Sequence, residues 1–368
     1  MQKMKKILAF WLRLVAFALV TVMVLNYTVY VITPKQAYGI CPIMNFYNQP
    51  ENTVDVLVLG SSLGNAGINT SILWNEYGIA VYSLCGAEVP YWVSYYYLEE
   101  ALKTQTPKLI LIDAKASMYS ADYSTRGRTI HATFGIRDPL VRLKAIAACV
   151  APADLLSYVL AFPQLHSYYT QVNAESFMYP PDNGDRGPNW KGYIEYTVTE
   201  QHEKPSVVWP GTKKPINTRQ AEYFRKILEL AQANGIPVML VGFPNPDYAY
   251  DHGYYMSLWA IAEEYGVTGI NYNDPDLWRG LRDKYDDPKL QTTLLYSSDF
   301  ADWQHLNLKG SVTFSYRLGY DLKQLYDLPD RRGDEAYITW QLCADEWFAK
   351  YPEYDPNRVE DPESETEV

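Results

Sequence analysis

Apolar residues gather along this chain in short runs divided by polar, glycine- and proline-containing stretches, and the first run is the longest. Residues 14–32 are almost unbroken in hydrophobicity, softened only by Thr21, Asn26 and Thr28. At about 19 residues the run approaches the ~20 needed to cross the hydrocarbon core of a bilayer. It is apolar on every face, unlike the one-sided stripe of a helix packed on a soluble core. Lys3, Lys5, Lys6 and Arg13 precede it, which predicts a cytoplasmic amino terminus and an extracellular body. The run exceeds a usual signal-peptide core, and Thr33-Pro34-Lys35 offers no small-x-small cleavage site. An uncleaved anchor over residues 1–34 is therefore favoured over a cleaved signal. Residues 35–52 read as a linker.

Beyond the linker the pattern becomes an alternation of strand and helix. Residues 54–59 (Val-Asp-Val-Leu-Val-Leu) stop at Gly60-Ser61-Ser62, as expected of a buried parallel strand that delivers a turn to the open end of its sheet. Further strands are predicted at 80–84, 108–114 and 237–243, with a weaker fifth at 267–272. Helices are predicted up to Tyr77, where Gly78 follows, and over 91–103, 217–233, 254–265 and 308–326. Asn217-Thr218-Arg219-Gln220 resembles a capping box. This rhythm predicts an α/β fold: a three-layer αβα sandwich on a mostly parallel, flavodoxin-like sheet over 53–330. It breaks at 116–215, which carries helices at 139–150 and 152–165 and a polar, proline- and glycine-rich stretch at 179–192. That segment reads as an insertion over the open end of the sheet, a lid. Residues 331–368 read as an extension, and its last 18 residues, with seven acids and one arginine, as a solvated tail.

Composition narrows the possibilities. The formal charge is −11, and residues 1–35 contribute five basic and no acidic groups, leaving −16 on the remainder. Such an acidic body argues against a nucleic-acid partner. The four cysteines are widely spaced, with no Cys/His cluster for a metal, and no cofactor is expected. The loop 60–67 matches neither dinucleotide nor P-loop spacing.

Two polar motifs carry the candidate chemistry. Ser62 stands just after the first strand, and Asp302-Trp303-Gln304-His305 precedes the last predicted helix. A serine hydroxyl becomes a useful nucleophile when a base takes its proton. His305 is that base here, with Asp302 holding its tautomer. Asp299 lies close enough to compete with Asp302 for the orienting role. His131, His202 and His252 are expected on the surface or in satisfied hydrogen bonds, and Glu99-Glu100 on a solvated helix face. Asp55 has no assigned role.

These motifs resemble the SGNH, or GDSL-like, hydrolase superfamily, in which a Gly-Asp-Ser follows the first strand and an Asp-x-x-His precedes the last helix. Ser61 stands in place of the usual aspartate, and Leu306-Asn307-x-x-Gly310 continues the likeness. The variant is similar to the membrane-anchored bacterial branch that includes the D-alanyl transfer protein of teichoic-acid modification and polysaccharide O-acetyltransferases. The resemblance implies Ser62 as nucleophile with Asp302 and His305, and the amides of Ser62 and Gly86 as oxyanion donors. The family's third donor, an asparagine after the third strand, is missing from Asp113-Ala114-Lys115-Ala116-Ser117. Lys115 and Asn245 are the candidates to replace it, and His166 is a candidate contributor from the lid. The implied function is an extracytoplasmic serine esterase or O-acyltransferase that acts on acyl esters of a cell-envelope glycan or polymer, with a membrane-bound acyltransferase as possible partner. The alternative is a non-catalytic scaffold or glycan-binding partner of such a complex.

Overall fold

Five aliphatic runs form the strands β1 (Val56–Gly60), β2 (Val81–Cys85), β3 (Leu109–Asp113), β4 (Val238–Gly242) and β5 (Thr268–Asn271). All neighbours pair parallel, in the order β2-β1-β3-β4-β5. The first four strands are buried along their whole length, whereas the edge strand β5 is partly exposed. Continuous Val, Leu and Ile runs are what a parallel strand needs when both of its faces are covered. Each strand falls within two residues of its predicted position. This computed structural model describes residues 2–33, 43–178, 190–203, 211–274, 277 and 294–355.

The helices, in chain order, are α1 (Gln2–Ile32), α2 (Ser62–Gly67), α3 (Thr70–Tyr77), α4 (Tyr91–Ala101), α5 (Arg126–Thr133), α6 (Pro139–Cys149), α7 (Leu155–Val159), α8 (Phe162–Leu165), α9 (Glu175–Met178), α10 (Thr218–Ala233), α11 (Tyr248–Glu264), α12 (Leu308–Leu325) and α13 (Ile338–Lys350). Their ends follow local chemistry. Asn69, Asn217 and Asn307 accept hydrogen bonds from first-turn amides of α3, α10 and α12, and Gly78 closes α3 in the left-handed region at φ 65°. The predicted helix over 152–165 is instead two short helices. Ala161 sits between them at φ 60°, and Pro163 follows, so α7 cannot continue.

The chain divides into two compact units. One comprises residues 45–122 and 188–368, the other residues 1–44 and 123–187. The first holds the whole sheet. In it α4 packs on α10, while α12 and α13 pack on α3. Residues 331–350, read from sequence as an extension, are built into this unit. Trp340 and Trp347 of α13 are buried, and Arg331 forks onto the buried Asp55 carboxylate with two 2.9 Å hydrogen bonds. Asp55 thus ties the carboxyl-terminal segment to the entry of β1. Glu100 corrects another expectation: it is buried rather than solvated, and accepts from the Tyr47 hydroxyl and Lys103 at 2.8 Å each.

The second unit contains α5 to α9 and α1, which packs on α8, on the 3-10 turn His166–Gln171 and on α9. The segment 116–215 read as one lid is therefore divided, because residues 116–122 and 190–215 belong to the sheet unit. Residues 35–42 of the linker, the 179–189 part of the polar stretch and the acidic tail from residue 356 lie outside the described residues.

Candidate active site

The carboxyl end of β1 is shaped by a close approach. Gly60 has φ 152°, and a Cβ there would stand 2.2 Å from the Asp113 Cβ at the end of the neighbouring β3. Only glycine lets the two strand ends meet so closely. Asp113 then accepts from both the Ser61 amide (3.0 Å) and the Ser61 hydroxyl. The same hydroxyl accepts from the Leu63 amide and caps α2. Burial pushes the Asp113 carboxyl up, against the hydrogen bonds from Ser61 and the Lys115 amide. Ser61 is therefore a brace between β1, β3 and α2. It places Ser62 as the first residue of α2.

The second motif arrives on a loop held from several sides. Asp299 is buried and accepts from the Leu295 amide and the Ser298 hydroxyl, with Lys309 3.2 Å away. It shapes the loop and does not orient the histidine. Asn307 caps α12 through its Oδ1, while its amide donates to Thr199 and to the Ser298 carbonyl. Backbone bonds from Glu200 to Phe300, His202 to Tyr296 and Leu308 to Tyr196 lay residues 196–202 along this loop.

Within this frame three side chains form a relay. The His305 Nε2 lies 2.7 Å from the Ser62 Oγ, and its Nδ1 lies 2.8 and 3.0 Å from the Asp302 carboxylate oxygens. Asp302 also accepts from the amides of Gln304 (2.7 Å) and His305 (2.8 Å). Partial burial pushes its carboxyl up, but the His305 ring and these two amides outweigh that and hold it at about 2. An ionised Asp302 fixes the Nδ1–H tautomer of His305, leaving the Nε2 lone pair to accept from Ser62. The Tyr196 ring stacks on the imidazole at 5.1 Å and 13°.

The remaining predicted residues fall differently. The Gly86 amide, expected to stabilise an oxyanion, already donates to the Gly60 carbonyl at 3.1 Å and closes the β1–β2 ladder. Lys115 is buried and paired with the buried Asp251 at 2.6 Å. Burial raises the Asp251 carboxyl to about 6 despite that lysine. Asn245 is buried with its amide on the Phe243 carbonyl. His166 is exposed in the other compact unit, its Nδ1 2.8 Å from the Pro163 carbonyl. The Gly86 amide and the Lys115 ammonium thus have partners of their own. His202, read as a surface or hydrogen-bonded histidine, is buried and packs against Trp303 at 4.6 Å.

No family model matches the chain, and no curated protein is significantly similar to it.

Two residues that the motifs did not mark stand out: Tyr196, stacked on His305, and Asn65, on the helix that Ser62 begins. Tyr196 is carried there by the return segment at 190–196. This segment covers the edge of β2 through a Ser83-to-Lys191 bond, passes Gly192 (φ 87°) over the Ser83 carbonyl, and donates from Ile194 to the Asn65 carbonyl. Asn65, one turn after Ser62 on α2, is buried. Its Nδ2 makes a 3.5 Å contact with the Cys85 carbonyl, and its Oδ1 has no partner among the described residues. The sequence signal that marks Asn65 is its i+3 position from Ser62 on the same helix. Among the described residues no group of three or more His, Cys, Asp or Glu side chains forms a metal cluster.

Proposed function

We propose that this chain is an extracytoplasmic serine esterase or O-acyltransferase of the SGNH kind, a three-layer αβα domain held at the membrane by α1. The observation that carries the reading is the 2.7 Å contact from His305 Nε2 to Ser62 Oγ, with the far side of the ring fixed on Asp302. α1 is long and apolar enough to span a bilayer, with mean hydropathy 2.4 over its most apolar stretch.

The chemistry follows from these positions. His305 takes the Ser62 proton as the oxygen attacks an acyl carbonyl, and Asp302 stabilises the imidazolium that forms. The tetrahedral oxyanion needs donors. The Ser62 amide, which has no protein hydrogen-bond partner among the described residues, is one, and we assign the Asn65 side-chain amide as the second. His305 then returns its proton to the leaving alkoxide, and an acyl-Ser62 ester remains. Water completes hydrolysis, or a glycan hydroxyl completes transfer. The acyl ester of an envelope glycan or polymer is the substrate class that suits a tethered site, with a membrane-bound acyltransferase as acyl source. The purified chain is expected to hydrolyse p-nitrophenyl acetate, and Ser62→Ala to abolish that turnover. Equal turnover in wild type and variant contradicts the proposal.

The second reading is a non-catalytic scaffold in an acylation complex. It is favoured by the engaged Gly86 amide and by the sealed Lys115. It predicts no turnover at all, and binding of an acyltransferase that is indifferent to Ser62→Ala.

A further inference from the structure

The compact unit formed by residues 1–44 and 123–187 exposes apolar residues in an ordered way. α6 turns Leu140 and Leu143 outward, at 60% and 42% exposure, and α7 with its C-cap residue Leu160 turns Leu156, Val159 and Leu160 outward at 68%, 42% and 54%. Spacings of three and four place each set on one helix face. Both helices also bury an inner face, through Val141, Ala145 and Ile146 on α6 and Tyr158 on α7. They are therefore packed helices with a second, unpartnered apolar stripe, of a kind that a water-facing surface rarely carries.

Their position relative to α1 says what covers the stripe. From Phe10 to Tyr27 every residue of α1 is exposed, and burial begins only over residues 28–33. Those 18 bare residues rise about 27 Å at ~1.5 Å each, close to the hydrocarbon thickness of a bilayer. The helix enters protein where that thickness ends. There it packs on α8 and α9; α7 packs on α8, and α6 on α7. The leucine stripes thus belong to elements joined in series to the outer end of the span. Charge points to the same occupant: residues 123–178 carry five basic and three acidic groups, within a body of net −16.

We propose that α6 and α7 lie in the outer membrane–water interface as an amphipathic collar around the exit of α1, with Leu140, Leu143, Leu156 and Leu160 in the acyl boundary of the lipid. Interfacial helices of this kind bury an apolar face ~5–10 Å deep and favour anionic lipid through basic flanks. The inference rests on the reading of α1 as a membrane anchor.

The test uses the full chain, purified and reconstituted into phosphatidylcholine–phosphatidylglycerol vesicles that carry a diazirine on an acyl chain. After irradiation, peptide mapping is expected to find lipid adducts on residues 139–160 as well as on 14–27. Leu156→Glu/Leu160→Glu, a change of two exposed residues, is expected to remove the adducts on α7 and leave those on α1. Adducts on α1 with none on 139–160 overturn the collar and leave the anchor standing. No adducts on α1 overturn the anchor reading and the collar with it.

Discussion

Asp302–His305 and Lys115–Asp251 are both acid–base pairs, held at 2.8 and 2.6 Å, and both stand beyond the carboxyl ends of the same parallel strands. Their surroundings differ. The side chains of Asp302 and His305 are 42% and 15% exposed, and the free ring nitrogen faces a hydroxyl. Those of Lys115 and Asp251 are 3% and 0% exposed, and the second Asp251 oxygen has no partner among the described residues. A pair that is to move a proton needs an acceptor on its far side and a route for substrate. A sealed pair has neither, and its partners serve only to neutralise each other. Lys115, just after β3, is thus sealed in an ion pair, while a serine at the end of β1 is the candidate nucleophile.

The largest expected effect breaks the open pair. Asp302→Asn is expected to lower kcat for ester hydrolysis by ~10⁴-fold through loss of the correct tautomer. Steady-state kinetics checks this, with circular dichroism to show an intact fold. Breaking the sealed pair should act on stability instead. Asp251→Ala leaves a buried lysine charge unpaired and is expected to cost ~3–5 kcal/mol in urea unfolding. The double change Lys115→Met/Asp251→Leu is expected to recover most of that loss. Tyr196→Ala removes the ring stacked on His305. Such aromatic contacts are worth ~0.5–1.5 kcal/mol, so activity should fall ~2–10-fold, with Tyr196→Phe near wild type.

The pH dependence of stability sharpens the contrast, because the two carboxyls shift in opposite directions. Asp302 is held at about 2, below its usual 3.8, so its stabilisation is present above pH ~4 and is lost as pH falls toward 2. Burial raises Asp251 from 3.8 to about 6, so the folded chain holds that proton more tightly than the unfolded one. Its contribution is complete below pH ~4 and is lost as pH rises through 6. Unfolding free energies of Asp302→Asn and Asp251→Asn, each compared with wild type between pH 3 and 7, should therefore diverge in opposite senses.

Much of this was legible in the residues. Unbroken Val, Leu and Ile runs marked the strands, because parallel strands covered on both faces leave no place for polar alternation. Ser62 and Asp302-x-x-His305 were legible because a strand end and a helix cap aim them by local rules. What escaped depended on distant partners. Nothing local to Gly86 shows that its amide is taken by Gly60, or that Glu100 is buried under Tyr47. Tyr196 reaches His305 only because residues 190–196 return along β2, and α13 shows its role only once its tryptophans are buried. The break at Ala161, with its φ of 60°, was hidden because alanine is an ordinary helix former.

Reaction of the full chain with a fluorophosphonate, read by intact mass and peptide mapping, tests the relay most directly. The account predicts one adduct, on Ser62, formed at least ~100-fold more slowly in His305→Ala because the base that activates the hydroxyl is gone. An adduct on another residue, or a rate unchanged by His305→Ala, would contradict it.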